Sequence, residues 1–346
     1  MKWIGGILLA GVLLLAALIY VNNASGLAPV MARKPTLLAH RGMAQTYHRE
    51  GLTSETCTAE RIHAPVHGFL ENTLPSMRAA FDAGADIVEI DVHPTTDGHF
   101  AVFHDWTVDC RTEGSGVTRD HTLAELKALD VGYGYTADGG RAFPFRGKGV
   151  GLMPSLDEVL STFPGKRFLI NVKSNAPAEG VLLAEHLARL APARRDLLMV
   201  YGADRPISAV KTRLPSLKTM SKATLKACGY RYLAVGWTGY VPQACRDTLV
   251  LLPVNYTWLL WGWPNRFLER MRSAGTDVYV AGPYAKGDAG SSGIDDAAAF
   301  AELPPRYDGG IWTNRIDLIG PLARPAVTTR LSGSRAASAR RRRARY

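Results

Sequence analysis

An α/β (β/α)8 barrel of the TIM type is the fold this sequence predicts, with a small insertion after its second strand and an N-terminal transmembrane or signal segment. Three observations predict it. Apolar runs of strand length alternate with helix-period segments, there are eight such runs, and polar residues suited to chemistry gather where the early runs end. The predicted strands are Thr36–His40, Ile87–Val92, Arg167–Lys173, Leu197–Tyr201, Leu217–Ser221, Leu249–Asn255, Asp277–Ala281 and Gly310–Asn314. Between them, apolar residues recur at helical spacing in Leu74–Ala83, Leu156–Thr162, Ala178–Leu190, Ile207–Arg213, Leu225–Leu233, Arg266–Ser273 and Asp295–Leu303. Strands alternating with helices imply right-handed parallel crossovers, and eight of them imply a closed ring rather than an open sheet.

The 346 residues, 47% of them apolar, suffice for one large barrel domain. The expected organisation is an anchor and linker over 1–30, the barrel over 31–325 with its insertion at about 93–154, and a basic tail over 326–346. The formal charge of +10 resembles a nucleic-acid signal, but Arg335, Arg340, Arg341, Arg342, Arg343 and Arg345 concentrate it in that tail. Nucleic acid is therefore not an expected partner. The tail reads as a solvated extension, with an anionic lipid surface as its alternative partner.

Trp3 to Val21 is an unbroken apolar stretch of about membrane-spanning length. Small residues at a suitable cut site are poorly placed: Asn22-Asn23-Ala24 has the wrong first residue, and Gly26-Leu27-Ala28 is followed by Pro29. An uncleaved anchor is expected, with Lys2 cytoplasmic and the barrel outside, periplasmic in a Gram-negative cell; secretion after cleavage is the alternative. Four cysteines without metal spacing agree with export. Cys57 and Cys110 both fall in loops near the polar motifs, and Cys228 and Cys245 lie close together. Of three connectivities, that pairing is the expected one, with four free thiols as the alternative.

Two long connections, 42–70 and 93–154, follow the first and second strands on the barrel face where such folds carry chemistry. The second contains a short strand of its own, Phe100–His104, and glycine-rich turns, so it reads as a folded insertion over the mouth. Around these connections stand His40-Arg41-Gly42, Glu71-Asn72-Thr73, Glu89-Ile90-Asp91, Thr96-Asp97-Gly98 and His104-Asp105. Glu89 and Asp91 are two apart, so both side chains take the same face of their strand, toward the barrel axis. Two carboxylates aimed at one apolar interior repel strongly without a cation, and a hard divalent metal, Ca²⁺ or Mg²⁺, resolves the conflict. His40 and His104 can divide acid and base roles, and Arg41 offers a forked donor to phosphate oxygens. Together these parts suit phosphodiester hydrolysis.

Combined in this order, the motifs resemble the glycerophosphodiester phosphodiesterase family. The resemblance extends through Pro154-Ser155-Leu156-Asp157-Glu158 and Asn171-Val172-Lys173 to Gly310-Ile311-Trp312-Thr313-Asn314. It implies a (β/α)8 barrel with His40 and His104 as the acid/base pair, Glu89 and Asp91 as metal ligands, Arg41 and Lys173 on phosphate, and Glu71 and Asn72 in support. It implies one divalent cation and a glycerophosphodiester substrate, or a lysophospholipid in the same linkage, cleaved to glycerol 3-phosphate and an alcohol. One departure stands out: the family's third carboxylate on the metal is replaced by Asn171, whose amide oxygen can ligate but brings no charge.

His48, His63 and His67 in the first long connection follow no zinc spacing and read as loop-packing residues. Trp258, Trp261 and Trp263 either wall a lipid or glycerol moiety or pack the barrel rim. Two further readings stay open: a silent barrel that binds phospholipid head groups, suggested by Asn171 and the basic tail, and another phosphodiesterase of the same architecture. Paired histidines argue against the first.

Overall fold

The computed structural model of the protein describes residues 2–29, 33–53, 56–285 and 292–325; the basic tail, 326–346, lies outside the described residues. The strands are β1 Thr36–Ala39, β2 Ile87–Pro94, β3 Phe100–Val102, β4 Arg167–Val172, β5 Leu198–Gly202, β6 Lys218–Ser221, β7 Leu249–Pro253, β8 Asp277–Ala281 and β9 Gly310–Thr313. The helices are α1 Lys2–Asn23, α2 Leu74–Asp82, α3 Leu123–Ala128, α4 Leu156–Thr162, α5 Pro177–Ala188, α6 Pro192–Arg195, α7 Asp204–Arg213, α8 Lys222–Val235, α9 Asn265–Ser273, α10 Ala297–Ala301 and α11 Ile316–Ala323.

Eight strands pair in the order β6-β5-β4-β2-β1-β9-β8-β7, all parallel, and β3 runs antiparallel on the end of β2. Strand pairing thus joins all but one neighbouring pair of the expected ring. At the seam between β6 and β7, the Thr248 hydroxyl donates to the Thr219 carbonyl at 2.6 Å. Period two sorts the side chains: Leu38, Ile87, Leu169, Met199, Met220, Leu249, Tyr279 and Trp312 fill the barrel, while Leu37, Val88, Ile90, Phe168, Ile170 and Val200 pack outward under the helices. Each fully buried Leu or Ile among them contributes about 2 kcal/mol. The helix predicted at Asp295–Leu303 is one short turn longer than the observed α10, whose N-terminus is capped by Asp296.

The two long connections form one unit. Ala59, Ile62 and Leu70 from the first share a core with Ala101, Phe103, Val108, Leu126, Val131, Tyr135, Phe145 and Met153 from the second. The disulfide Cys57–Cys110 joins them, and Cys228–Cys245 is the second bridge, as the sequence led us to expect. Trp3–Asn23 is long and apolar enough to cross a membrane, with a mean hydropathy of 2.6 over a window of which no residue is buried.

Candidate active site

The C-terminal ends of β1, β2, β4 and β5 bring the predicted residues together. His40 follows β1, and its amide donates to the Thr313 carbonyl of β9. The chain then turns sharply: Arg41 has φ 58° and Gly42 φ 81°. A Cβ on Gly42 would lie 2.7 Å from Ser76 Oγ and 3.1 Å from the Met77 nitrogen, so α2 packs against bare backbone here. Gly42→Ala is expected to cost about 1–3 kcal/mol, read as a lower midpoint in urea unfolding. Asn72 is also left-handed, at φ 58°. Its amide nitrogen donates to Asp91 Oδ2 at 3.0 Å, its Oδ1 accepts from the Asp91 backbone at 3.2 Å, and its own backbone N–H bonds the Arg41 carbonyl. Two non-glycine residues held in this region at one site mark a backbone fixed for function.

Glu89 and Asp91 are fully buried and point inward. In register, Asp91 of β2, Asn171 of β4 and Tyr201 of β5 form one row. Tyr201 Oη donates to Glu89 Oε1 at 2.7 Å, and the Arg41 backbone N–H donates to Glu89 Oε2 at 3.1 Å. Burial, then the adjacent Asp91 charge, pushes the Glu89 carboxyl up to about 8. Burial would raise Asp91 as well, but Lys173 and Arg41 overcome it and hold Asp91 well below the usual carboxylate range. Lys173 Nζ lies 3.5 Å from Asp91 Oδ1 and Arg41 Nε 3.3 Å from Oδ2.

Both histidines are oriented from behind. His40 Nδ1 sits 2.6 Å from Asn314 Oδ1, and Asn314 is fixed in turn by Asp295 through Nδ2 at 2.8 Å. An amide oxygen accepts only, so Nδ1 carries the proton and Nε2 is left as a base. Nε2 lies 3.8 Å from Glu89 Oε2. Burial, then Arg41, lowers His40 to about 3, keeping the imidazole neutral. His104 Nδ1 meets Asp105 Oδ1 at 2.6 Å, and burial, then Arg41 and Lys173, holds this ring neutral also.

Arg111, from the insertion, ties the second histidine to the first strand. Its Nε donates to Asp105 Oδ2 at 2.7 Å, its Nη1 bonds Tyr135 Oη and lies 3.3 Å from Glu71 Oε2, and its Nη2 donates to Thr58 Oγ1 at 2.7 Å. Glu71 also accepts from Arg41 Nη1 at 2.9 Å. Thr58 and Arg111 each follow a cysteine of the Cys57–Cys110 bridge, which sets the reach of that contact. Arg111, Tyr201, Asn314, Asp295 and Asp105 carry no signal of their own in the sequence as site residues. Each is a lone side chain brought in from a different element, except Asp105, which stood beside His104 in a quoted motif, and Asn314, which closed the last quoted motif. Trp312, also in a quoted motif, packs its ring 4.8 Å from His40.

An open cavity of about 230 Å³ adjoins His40, Arg41 and Glu71 and is rimmed by Gln45, Tyr47 and Arg315. The donor set suits a hard divalent cation. Four carboxylates, Glu71, Glu89, Asp91 and Asp105, face three cations, Arg41, Lys173 and Arg111, leaving one formal negative charge when both imidazoles are neutral and Glu89 is ionised, the state that an adjacent cation favours. Two added positive charges turn this into one net positive charge, the complement of a phosphodiester. Asn171 differs from its expected position as a ligand: its Nδ2 donates to Asp91 Oδ1 at 2.8 Å, so the nitrogen, not the oxygen, faces the carboxylates. Among the described residues, no three His, Cys, Asp or Glu side chains form a metal-ligand group. His48 and His63 pack edge to face at 4.1 Å, and His67 Nδ1 lies 3.0 Å from Gln45 Nε2.

Known proteins are similar to this chain in sequence and in fold. The chain is 40% identical over 103 residues to a glycerophosphodiester phosphodiesterase of Caldanaerobacter subterraneus subsp. tengcongensis, a stretch covering 30% of this chain and 39% of that protein. The chain thus spans about two fifths of the length of the curated relatives it matches. Two solved structures share the fold. The glycerophosphoryl diester phosphodiesterase domain of a Mycobacterium tuberculosis protein aligns over 82% of this chain and 97% of its own, at 16% identity and a TM-score of 0.57. An Oleispira antarctica phosphodiesterase, solved with the product sn-glycerol-3-phosphate, aligns over 84% and 97%, at 20% identity and a TM-score of 0.50. The profile of the glycerophosphoryl diester phosphodiesterase family matches residues 40–259, more than half of the chain and the whole run from His40 to Lys173, and the chain belongs to that family.

Proposed function

We propose that this chain is a membrane-tethered, extracytoplasmic phosphodiesterase that hydrolyses glycerophosphodiesters to sn-glycerol 3-phosphate and an alcohol, with one divalent cation, Ca²⁺ or Mg²⁺. The observation that carries the reading is the pair of oriented imidazoles. His40 and His104 each commit Nδ1 to a fixed partner and keep Nε2 for proton transfer, beside two buried carboxylates and two cationic side chains. Membership of the family, and the glycerol 3-phosphate bound by the Oleispira protein, support the substrate class.

Arg41 and Lys173 bind the phosphodiester oxygens, and Glu71 and Asp91 hold them in place. One imidazole accepts a proton from the attacking water at Nε2. As the new P–O bond forms and the alcohol's P–O bond breaks, the other, which enters the step as an imidazolium protonated at Nε2 beside the bound phosphodiester anion, delivers that proton to the departing alkoxide. Asn314 and Asp105 hold Nδ1 of each ring and so leave Nε2 as the nitrogen that exchanges the proton. Glu89 and Asp91 would hold the cation with Asn171 as a neutral donor, and the cation supplies charge neutralisation at the phosphate.

Asn171→Glu restores a third carboxylate and is expected to tighten Mg²⁺ or Ca²⁺ binding by at least roughly tenfold, measured by isothermal titration. Unchanged affinity would remove Asn171 from the ligand set. The membrane-tethered reading rests on the exposed apolar α1 and on two disulfides, which persist in oxidising compartments. Partition of the full chain into the membrane fraction, lost on deletion of residues 1–28, tests it.

A further inference from the structure

The helical layer thins on one side of the barrel. α8 buries only Cys228 and Tyr232, and the end of β7, Leu251 to Pro253, stays half-buried. This leaves an almost wholly apolar groove of about 440 Å³ on the barrel flank, in the size range of ligand sites. Leu225, Leu233, Leu252, Tyr256, Leu260 and Phe267 line it. Nothing in the proposed hydrolysis uses it.

The groove is tied to the apolar helix. The Asn22 and Asn23 side-chain amides donate to the Trp237 carbonyl at 3.0 and 2.7 Å. Arg270 donates to Asn23 Oδ1 at 2.9 Å and to the Asn22 carbonyl at 2.8 Å, and its Nη1 also reaches Tyr232 Oη, in the groove wall, at 3.2 Å. The Asn265 amide donates to Ser25 Oγ. The end of α1 is therefore fixed against the barrel beside the groove rather than joined to it by a free linker.

A helix of this apolarity ends at the boundary of a bilayer, so residues bonded to its last turn lie at that boundary. Trp237, Tyr240, Trp258 and Trp261 are exposed on this side, and Trp261 donates its indole N–H to the Leu233 carbonyl of the groove wall. Tryptophan and tyrosine favour that interfacial depth. α8 contains no acidic residue and exposes Lys222, Lys226 and Arg231, with Lys226 at the groove itself. An apolar slot with a cationic edge, held at the membrane surface, matches one ligand: a phospholipid with an anionic head group.

We propose that this groove seats an acyl chain of an anionic phospholipid from the membrane holding α1, with the head group against α8, and that this lipid settles the barrel on the bilayer. The inference rests on the membrane-anchored reading of α1 and not on the hydrolytic one.

The test uses the full chain in phosphatidylcholine nanodiscs containing phosphatidylglycerol with a diazirine on its acyl chain. After irradiation, labelled peptides are mapped by mass spectrometry. Label is expected on 225–233 and 250–260 as well as on α1. Gly229 lines the groove and a Cβ there meets nothing within 4 Å, so Gly229→Trp, directed into the groove, is expected to abolish groove label while α1 label persists. Leu259→Arg, at a partly exposed position, is the second variant should the first fail to fold, with the same loss expected. Label confined to α1, groove label unchanged by a folded variant, or equal label from a phosphatidylcholine probe would overturn the proposal. So would a stable dimer in native mass spectrometry with an unlabelled groove, which would assign the groove to a second copy. Glycerophosphocholine turnover, followed in parallel, should be unchanged in both variants. Its absence from the parent protein with groove label intact would count against the hydrolytic reading alone.

Discussion

Replacing His40 with glutamine is expected to lower glycerophosphocholine turnover about a thousandfold without unfolding the protein. Glutamine fills a similar volume and can still bond Asn314, but it has no basic nitrogen corresponding to Nε2. The residual rate would come from Arg41, Lys173 and the bound cation, which the substitution leaves in place. Steady-state rates and a thermal melt check both halves. A loss of less than about tenfold would exclude His40 from proton transfer.

Arg111→Met carries the second large effect, and it acts on both stability and rate. The guanidinium is almost completely buried and bridges Asp105, Glu71, Tyr135 and Thr58. Removing it leaves the buried Glu71 and the partly buried Asp105 short of a cation, at a cost of up to about 3–5 kcal/mol. His104 then loses its fixed partner, because Asp105 is no longer held, and kcat is expected to fall roughly 10- to 100-fold with little change in KM. Arg111 is thus a positioning residue. Urea unfolding and a kcat-against-KM comparison test this, and Arg111→Lys should recover part of the stability but little of the rate, since an ammonium cannot span four partners. Loss of stability with unchanged kcat would limit Arg111 to a structural role.

Much of the barrel was legible because parallel strands buried on both faces leave continuous apolar runs. The eight predicted strands match the observed ones to within two residues at each end. The inward aim of Glu89 and Asp91 followed from their spacing alone, since period two fixes the face once the strand is placed. α11 went unread because Gly320 and Pro321 interrupt its pattern, and α3 is too short to show a period. What could not be read was long-range pairing. Tyr201 and Glu89 are 112 residues apart, and His40 and Asn314 are 274 apart. A lone tyrosine at a strand end looks like any other, so its hydroxyl on a carboxylate appears only once the register is known. The fusion of the two long connections into one core was hidden for the same reason, although the Cys57–Cys110 pairing pointed toward it. Asn171 was placed correctly by its strand but not its amide, whose orientation depends on Asp91 across the sheet.

The measurement that bears most directly on the central claim is release of sn-glycerol 3-phosphate from glycerophosphocholine, compared in Ca²⁺, Mg²⁺ and chelator with His40→Ala as control. The account predicts release that requires one of the two cations, stops with chelator and is abolished in the variant. No release with either metal from a folded sample would contradict it, and would leave a barrel that binds phospholipid head groups without cleaving them.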